Sequence, residues 1–143
     1  MELVWISTED PRYQAERALR NRVLLHPIGQ PDGAWEHRDP DARHLVALNE
    51  ERVVGCTLLL QHSSTKAQLM QMAVDDTSQK SGIGRALVIT LLEQAKRIGV
   101  ESVFCHAREP VIGFYARQGF TPVGPRFEEV GIQHQKMTYA FRA

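Results

Sequence analysis

Met72-Ala73-Val74-Asp75-Asp76-Thr77-Ser78-Gln79-Lys80-Ser81-Gly82-Ile83-Gly84-Arg85 takes an apolar, strand-like run through a polar turn and straight into a helix. The first turn of a helix presents backbone N–H groups that have no partner within the helix, together with the positive end of the helix dipole. Gly82 and Gly84 let the main chain come close to a ligand and tolerate positive φ. A strand, a glycine turn and a helix start in this order make an anion cradle suited to a pyrophosphate. Two common phosphate motifs are absent. The stretch holds no GxGxxG, and Gly82 to Arg85 lacks the Gly-Lys-Ser/Thr of a P-loop. A glycine turn that merely packs closely on a sheet would read the same way at this level.

Outward from the turn, the pattern alternates between strand and helix. Downstream, Leu87, Val88, Leu91, Leu92 and Ala95 recur at helical spacing, predicting a helix over 84–98 that Gly99 ends as a left-handed cap. A strand follows over 102–105, then a helix over 111–118 started by Pro110 and ended by Gly119, then an alternating strand over 133–141. Upstream, strands over 44–48, 53–61 and 67–74 are joined by tight turns at Asn49-Glu50-Glu51 and Ser63-Ser64-Thr65, which predicts an antiparallel meander weakened at Gly55. A first strand covers 3–6. Asp10-Pro11 then supplies an N-cap and first-turn proline for a helix running to about Leu25. Between that helix and the meander lies a long stretch, 26–43, punctuated by Pro27, Gly29, Pro31, Gly33 and Pro40. Ordered loops of that length tend to be functional. The order β-α-β-β-β-α-β-α-β predicts an α+β fold, an α/β sandwich around one central sheet.

Composition narrows the function further. With 143 residues, 43% of them hydrophobic and 24% charged, the chain suits one folded domain over 1–143. Seventeen basic residues balance seventeen acidic ones, so a bulk electrostatic grip on nucleic acid or an anionic membrane is not expected. No apolar run approaches the roughly 20 residues of a membrane span. The start, Met1-Glu2-Leu3-Val4-Trp5, lacks the basic and apolar regions of a signal peptide. Cys56 and Cys105 sit in apolar runs without a CxxC partner, which predicts reduced thiols and a cytoplasmic setting. No HxxxH or CxxC spacing supports a metal, so none is expected.

Gln79-x-x-Gly82-x-Gly84, between an apolar strand and a helix, resembles the (Arg/Gln)-x-x-Gly-x-(Gly/Ala) signature of GNAT acetyltransferases. Phe114-Tyr115-Ala116-Arg117-Gln118-Gly119-Phe120 is similar to that family's second signature, a tyrosine-bearing helix that ends in Gly-Phe. The element order resembles the family's from about residue 3 to residue 141. The resemblance implies a mixed, mostly antiparallel central sheet with helices on both faces, and acetyl-CoA as acetyl donor. It implies that Met72, Ala73 and Val74 lend backbone groups to the pantetheine arm between two splayed strands. Gln79, Lys80, Ser81, Gly82, Ile83, Gly84 and Arg85 would then hold the pyrophosphate. An amine acceptor would attack the thioester directly in a ternary complex, and Tyr115 would act as general acid to the CoA thiolate. One position departs from the pattern. Many members carry an asparagine at the start of the tyrosine helix, where this chain has Arg108-Glu109-Pro110.

On the acceptor side, Leu19-Arg20-x-x-Val23-Leu24, Pro27-Ile28-Gly29, His44-Leu45 and Glu129-x-Gly131-Ile132-x-His134-x-x-Met137 resemble the ElaA-like branch of the family. That likeness implies an acceptor pocket built with Arg20, His44 and Glu128, and the length of the 26–43 loop points to it as the cover of that pocket. Glu129 or His134 would be the general base, with His44 next in order. The acceptor could be a small molecule or a peptide amine, and the resemblance also allows a homodimer through exposed strand ends. A non-catalytic acyl-CoA-binding sensor or interaction module, which keeps the cradle and loses the chemistry, is the alternative reading.

Overall fold

Strand alternation distributes the core over two faces of one sheet. In the computed structural model, which describes residues 1–79 and 81–142, Val46 and Leu48 of one strand pack with Leu19 of the first helix. The intervening Leu45 and Ala47 pack with Ile83 and Leu87 of the second helix. The elements run β1 (Glu2–Ile6), α1 (Tyr13–Arg20), β2 (Arg43–Asn49), β3 (Arg52–Gln61), β4 (Lys66–Val74), α2 (Ile83–Arg97), β5 (Ser102–Arg108), α3 (Ile112–Arg117), β6 (Thr121–Pro122), β7 (Phe127–Glu129) and β8 (Ile132–Ala140). All eight strands belong to one sheet, ordered β1-β2-β3-β4-β5-β8-β6, with β7 also paired to β8. Every pairing is antiparallel except β4 with β5. The mixed, mostly antiparallel α+β architecture is the one expected from the sequence.

The parallel pair is where the sheet opens. β4 and β5 pair only through Lys66, Ala67 and Gln68 against Ser102, Val103 and Phe104, although β4 runs on to Val74 and β5 to Arg108. Beyond the third pair the strands part. β4 also carries a bulge: the register against β3 shifts so that Gln71 and Met72 together oppose Thr57. Gln71 takes a φ of 55° there. The Thr57 hydroxyl donates to the Met70 carbonyl at 3.2 Å, tying the bulged strand to β3. A bulge leaves backbone groups outside the ladder and re-aims the strand.

The glycine in β3 has a packing cause. A Cβ at Gly55 would lie 2.8 Å from Ile83 Cγ2 and 3.1 Å from Leu87 Cδ1, so its absence lets the N-terminal end of α2 lie against the sheet. That closeness sets how the helix start faces the open strands.

Several element bounds differ from the sequence reading. Asp10 does not cap the first helix: its carboxylate accepts the Arg12 backbone N–H at 2.9 Å in the preceding turn, and α1 begins at Tyr13. After Arg20 the helix widens into a π-type turn, Asn21–Leu25. The 26–43 stretch contains short helical turns at His26–Ile28 and Asp39–Asp41. Strands β6 and β7, two and three residues long, were not expected, because runs so short show no periodicity. No helix among the described residues is long and apolar enough to cross a membrane.

Candidate active site

The opening between β4 and β5 continues into a cavity of about 840 Å³, within the size range of small-molecule sites. Gln71, Met72 and Val74 of β4 line one wall, and Cys105, His106, Ala107 and Arg108 of β5 line the other. At one end the cavity meets the start of α2 through Ser78, Gln79, Gly82, Ile83, Gly84 and Arg85. Trp35, His37 and Arg38 of the long loop line it as well, together with Phe114 and Tyr115 of α3 and Glu129, Val130 and His134.

The cradle is built by local sequence. Gly82 stands at the N-cap of α2 with φ +85°, and a Cβ there would meet nothing within 4 Å. The space in front of the helix is therefore open. The first α2 amide to bond within the helix is that of Ala86, to the Gly82 carbonyl at 3.0 Å, which leaves those of Ile83, Gly84 and Arg85 without helical partners. Gln79 turns back on the strand end, its amide donating to the Val74 carbonyl and to Asp76 Oδ1, both at 3.2 Å. Gly84 lets α3 approach, since a Cβ would sit 3.3 Å from Phe114 Cζ. Donor groups, open space and the Arg85 charge fit an anionic ligand at this end.

Of the residues singled out on the cofactor side, Met72, Val74, Gln79, Gly82, Ile83, Gly84 and Arg85 lie on the cavity wall. Ala73 does not. Its side chain points to the opposite face and is buried with Leu19, Val46 and Cys56. Ser81 is exposed, and its hydroxyl donates to the Ser78 carbonyl. Lys80 lies outside the described residues.

The three residues named for catalysis share the cavity. Tyr115 is buried, its ring edge-on to Phe114 at 5.1 Å and Phe120 at 5.6 Å. Burial pushes its hydroxyl well above the ordinary tyrosine range, so it stays protonated. His134 is buried and stacked on Phe127. Its Nδ1 lies 2.8 Å from the Ile132 carbonyl. A carbonyl can only accept, so Nδ1 carries a proton, and Nε2 is the nitrogen left to face the cavity. Glu129 is exposed, with Oε2 3.9 Å from His106 Nδ1. Its neighbour Glu128 is exposed and outside the lining, as alternation along β7 requires.

Arg20 and His44 are not on the cavity wall. Both belong to a buried charge network under the long loop. Arg20 bonds Asp39 at 2.7 and 3.0 Å and Glu16 at 2.9 Å. His44 Nδ1 meets the Glu16 carboxylate at 2.9 Å, while Nε2 meets the Asp39 carbonyl at 2.9 Å. Both partners accept, so both ring nitrogens donate and the ring is cationic. Burial opposes that charge, but the Glu16 bond and charge outweigh it and raise the His44 pKa. Two cations thus balance two anions. Glu16, Asp39 and His44 offer ligand atoms within 4.8 Å of one another, yet the Arg20 guanidinium already serves as the cation there. The network also explains why these residues looked like acceptor-side groups. Asp39 anchors the loop whose Trp35, His37 and Arg38 line the cavity.

Sequence reasoning passed over His106, Arg108 and Gln71. The signal for the first two is the alternation Phe104-x-His106-x-Arg108, which sets them on the face opposite buried Val103, Cys105 and Ala107. Burial, with Lys136, His134 and His62 nearby, lowers the His106 pKa despite Glu129. The histidine is therefore neutral at neutral pH.

The family model described as the Acetyltransferase (GNAT) domain matches residues 9–141. The chain belongs to the GNAT acetyltransferase family. A GNAT frame also accounts for the splayed β4 and β5 around the cavity. The uncharacterized protein YyaT of Bacillus subtilis is 29% identical over 144 residues, covering 96% of this chain and 95% of the relative. The crystal structure of Escherichia coli ElaA superposes with a TM-score of 0.85 at 22% identity, covering 96% of this chain and 99% of ElaA. A GNAT family acetyltransferase from Elizabethkingia anophelis, solved with acetyl-CoA bound, gives a TM-score of 0.78 at 14% identity, covering 98% of this chain and 97% of the other. At these identities the two structures speak to the GNAT fold.

Proposed function

We propose that residues 1–143 act as one domain that transfers the acetyl group of acetyl-CoA to an amine. The observation that carries this is a single cavity joining the open N-terminal amides of α2 to the gap between β4 and β5, and onward to Tyr115 and His134. The amides of Ile83, Gly84 and Arg85, with the Arg85 charge, receive the pyrophosphate. The pantetheine arm lies along Met72 and Val74 like an added strand. An acetyl-CoA complex in a relative of the same fold supports this donor.

The amine nitrogen attacks the thioester carbonyl, the C–S bond breaks, and the amine proton passes to a base. Backbone N–H from the bulged stretch around Gln71 and Met72 stabilises the charge that gathers on the carbonyl oxygen. His134 Nε2 takes the amine proton, directly or through water, with Glu129 and neutral His106 beside it. Tyr115 donates its proton to the departing thiolate. Donor and amine meet in one ternary complex, so positioning supplies much of the rate and no acyl-enzyme forms. Both cysteines are free and buried, which supports a reducing, cytoplasmic setting.

CoA thiol release, followed with acetyl-CoA and a panel of amines, tests the reading. Amine-dependent release that His134→Gln slows by at least tenfold is the expected result. A burst of CoA release without amine would indicate an acyl-enzyme and contradict it.

A further inference from the structure

Arg108 closes β5 in register with His134 on β8, so both side chains leave the same face of the sheet. Its guanidinium is half-buried and lines the cavity. It makes one hydrogen bond, from Nη2 to the Leu24 carbonyl at 3.1 Å. Among the described residues it has no carboxylate within ion-pair distance. Other arginines drawn away from water in this protein do have one. Arg20 meets Asp39 and Glu16, Arg17 meets Glu36, and Arg12 meets Asp10.

A guanidinium carries five N–H donors in a planar fork that matches a carboxylate. Holding such a cation partly out of water is costly unless an anion completes it. Burial lowers the Arg108 pKa and the Glu129 charge opposes that change, which marks a cation short of a partner. Leu24, whose carbonyl accepts the Arg108 bond, lines the cavity together with Val23 and Trp35, a lining suited to an apolar side chain. His134 and Glu129, the groups placed at the amine, stand on the adjoining strands β8 and β7.

We propose that Arg108 anchors a carboxylate on the acceptor, so that the acceptor is a small amino acid carrying amine and carboxylate on one molecule. This inference rests on the acetyl-transfer reading and adds the substrate class to it. Polyamines and aminoglycosides would bring further cations to a site that already holds Arg108 and Arg38.

The test is CoA release by the full chain at saturating acetyl-CoA, with acceptors that differ only in the carboxylate. Suitable pairs are L-leucine with L-leucinamide and 4-aminobutyrate with 4-aminobutanamide, with spermidine and kanamycin as cationic controls. Amidation makes the leucine amine less basic and more of it neutral, so any carboxylate preference in that pair runs against intrinsic availability. The expected result is kcat/KM at least tenfold higher for the carboxylate of a pair. Arg108→Gln should erase that gap by raising KM for the carboxylates, leaving the amides within twofold, and Arg108→Lys should restore part of it. Equal rates within the pairs, preference for spermidine or kanamycin, or an Arg108→Gln loss equal for both members would overturn the proposal while leaving acetyl transfer standing. If no acceptor, cationic ones included, releases CoA, the acetyl-transfer reading falls and this one with it. Should Arg108→Gln not fold, the wild-type pairs still decide.

Discussion

Tyr115 and Cys105 line the same cavity, and burial acts on both. Burial pushes the Cys105 thiol up to about 12, because the thiolate loses solvation there. In the proposed reaction a CoA thiolate that lost solvation in the same way would be a stronger base toward the Tyr115 proton. Tyr115→Phe keeps the ring contacts with Phe114 and Phe120 and removes only the hydroxyl. It is expected to lower kcat by about 10²- to 10⁴-fold, the usual worth of a general acid, while KM for acetyl-CoA stays within a few-fold. Steady-state kinetics checks this, and an unchanged kcat would remove the tyrosine from the chemistry. Tyr115 could be named from a motif in the chain. Arg108 and His106 could not, because only the parting of β4 from β5 turns this end of β5 into a cavity wall. Arg20 and His44 show the opposite limit. Glu16 stands one turn from Arg20 on α1, but Asp39 comes from the long loop and His44 from β2, so a buried, balanced network assembled from three segments was invisible in a linear reading that saw only polar residues beside a loop.

At the scale of elements, the α1–loop–β2 network ties the long loop that lines the cavity to the sheet through charged groups. The folded His44 pKa is raised above the ordinary histidine value of about 6.5. Its contribution to stability is therefore full below about pH 6.5 and is lost as pH rises through the folded value. His44→Gln should be less stable than the wild type, with a gap in melting temperature that narrows steadily from pH 6 to pH 9. A gap that widens over that range would contradict the assignment. β3 and α2 make a second case. Gly55→Ala would place a methyl 2.8 Å from Ile83 Cγ2, and overpacking of this kind typically costs about 1–3 kcal/mol. Urea denaturation should show the loss, whereas an unchanged midpoint would mean that α2 is free to move away from the sheet. The helices and long strands were legible because each repeats its apolar pattern over two or more turns or pleats. The start of α1 was misjudged because Asp10 spends its carboxylate on Arg12, and β6 and β7 are too short to carry a period.

Across the whole molecule, the one parallel junction among the described residues, β4 with β5, opens the cavity. Because β4 and β5 separate after three pairs, one cavity runs from the start of α2 to β5, β7 and β8, which suits the proposed cofactor and acceptor ends. Binding there should couple to global stability. Acetyl-CoA at 100 times its Kd should stabilise the fold by about 2.7 kcal/mol, read as a rise in melting temperature that free acetate does not produce. The order of elements was readable along the chain, while the parting of two strands far apart in sequence was expected only from the family likeness. The most direct measurement is calorimetric titration of acetyl-CoA into the wild type and into a folded Gly82→Asp variant. An aspartate at the open N-cap of α2 sets a negative charge where the pyrophosphate belongs. Saturable binding by the wild type that the variant loses is the predicted result. No binding by the wild type at about 1 mM, a concentration that typical substrate affinities would register, would contradict the account and leave the glycine turn a packing device.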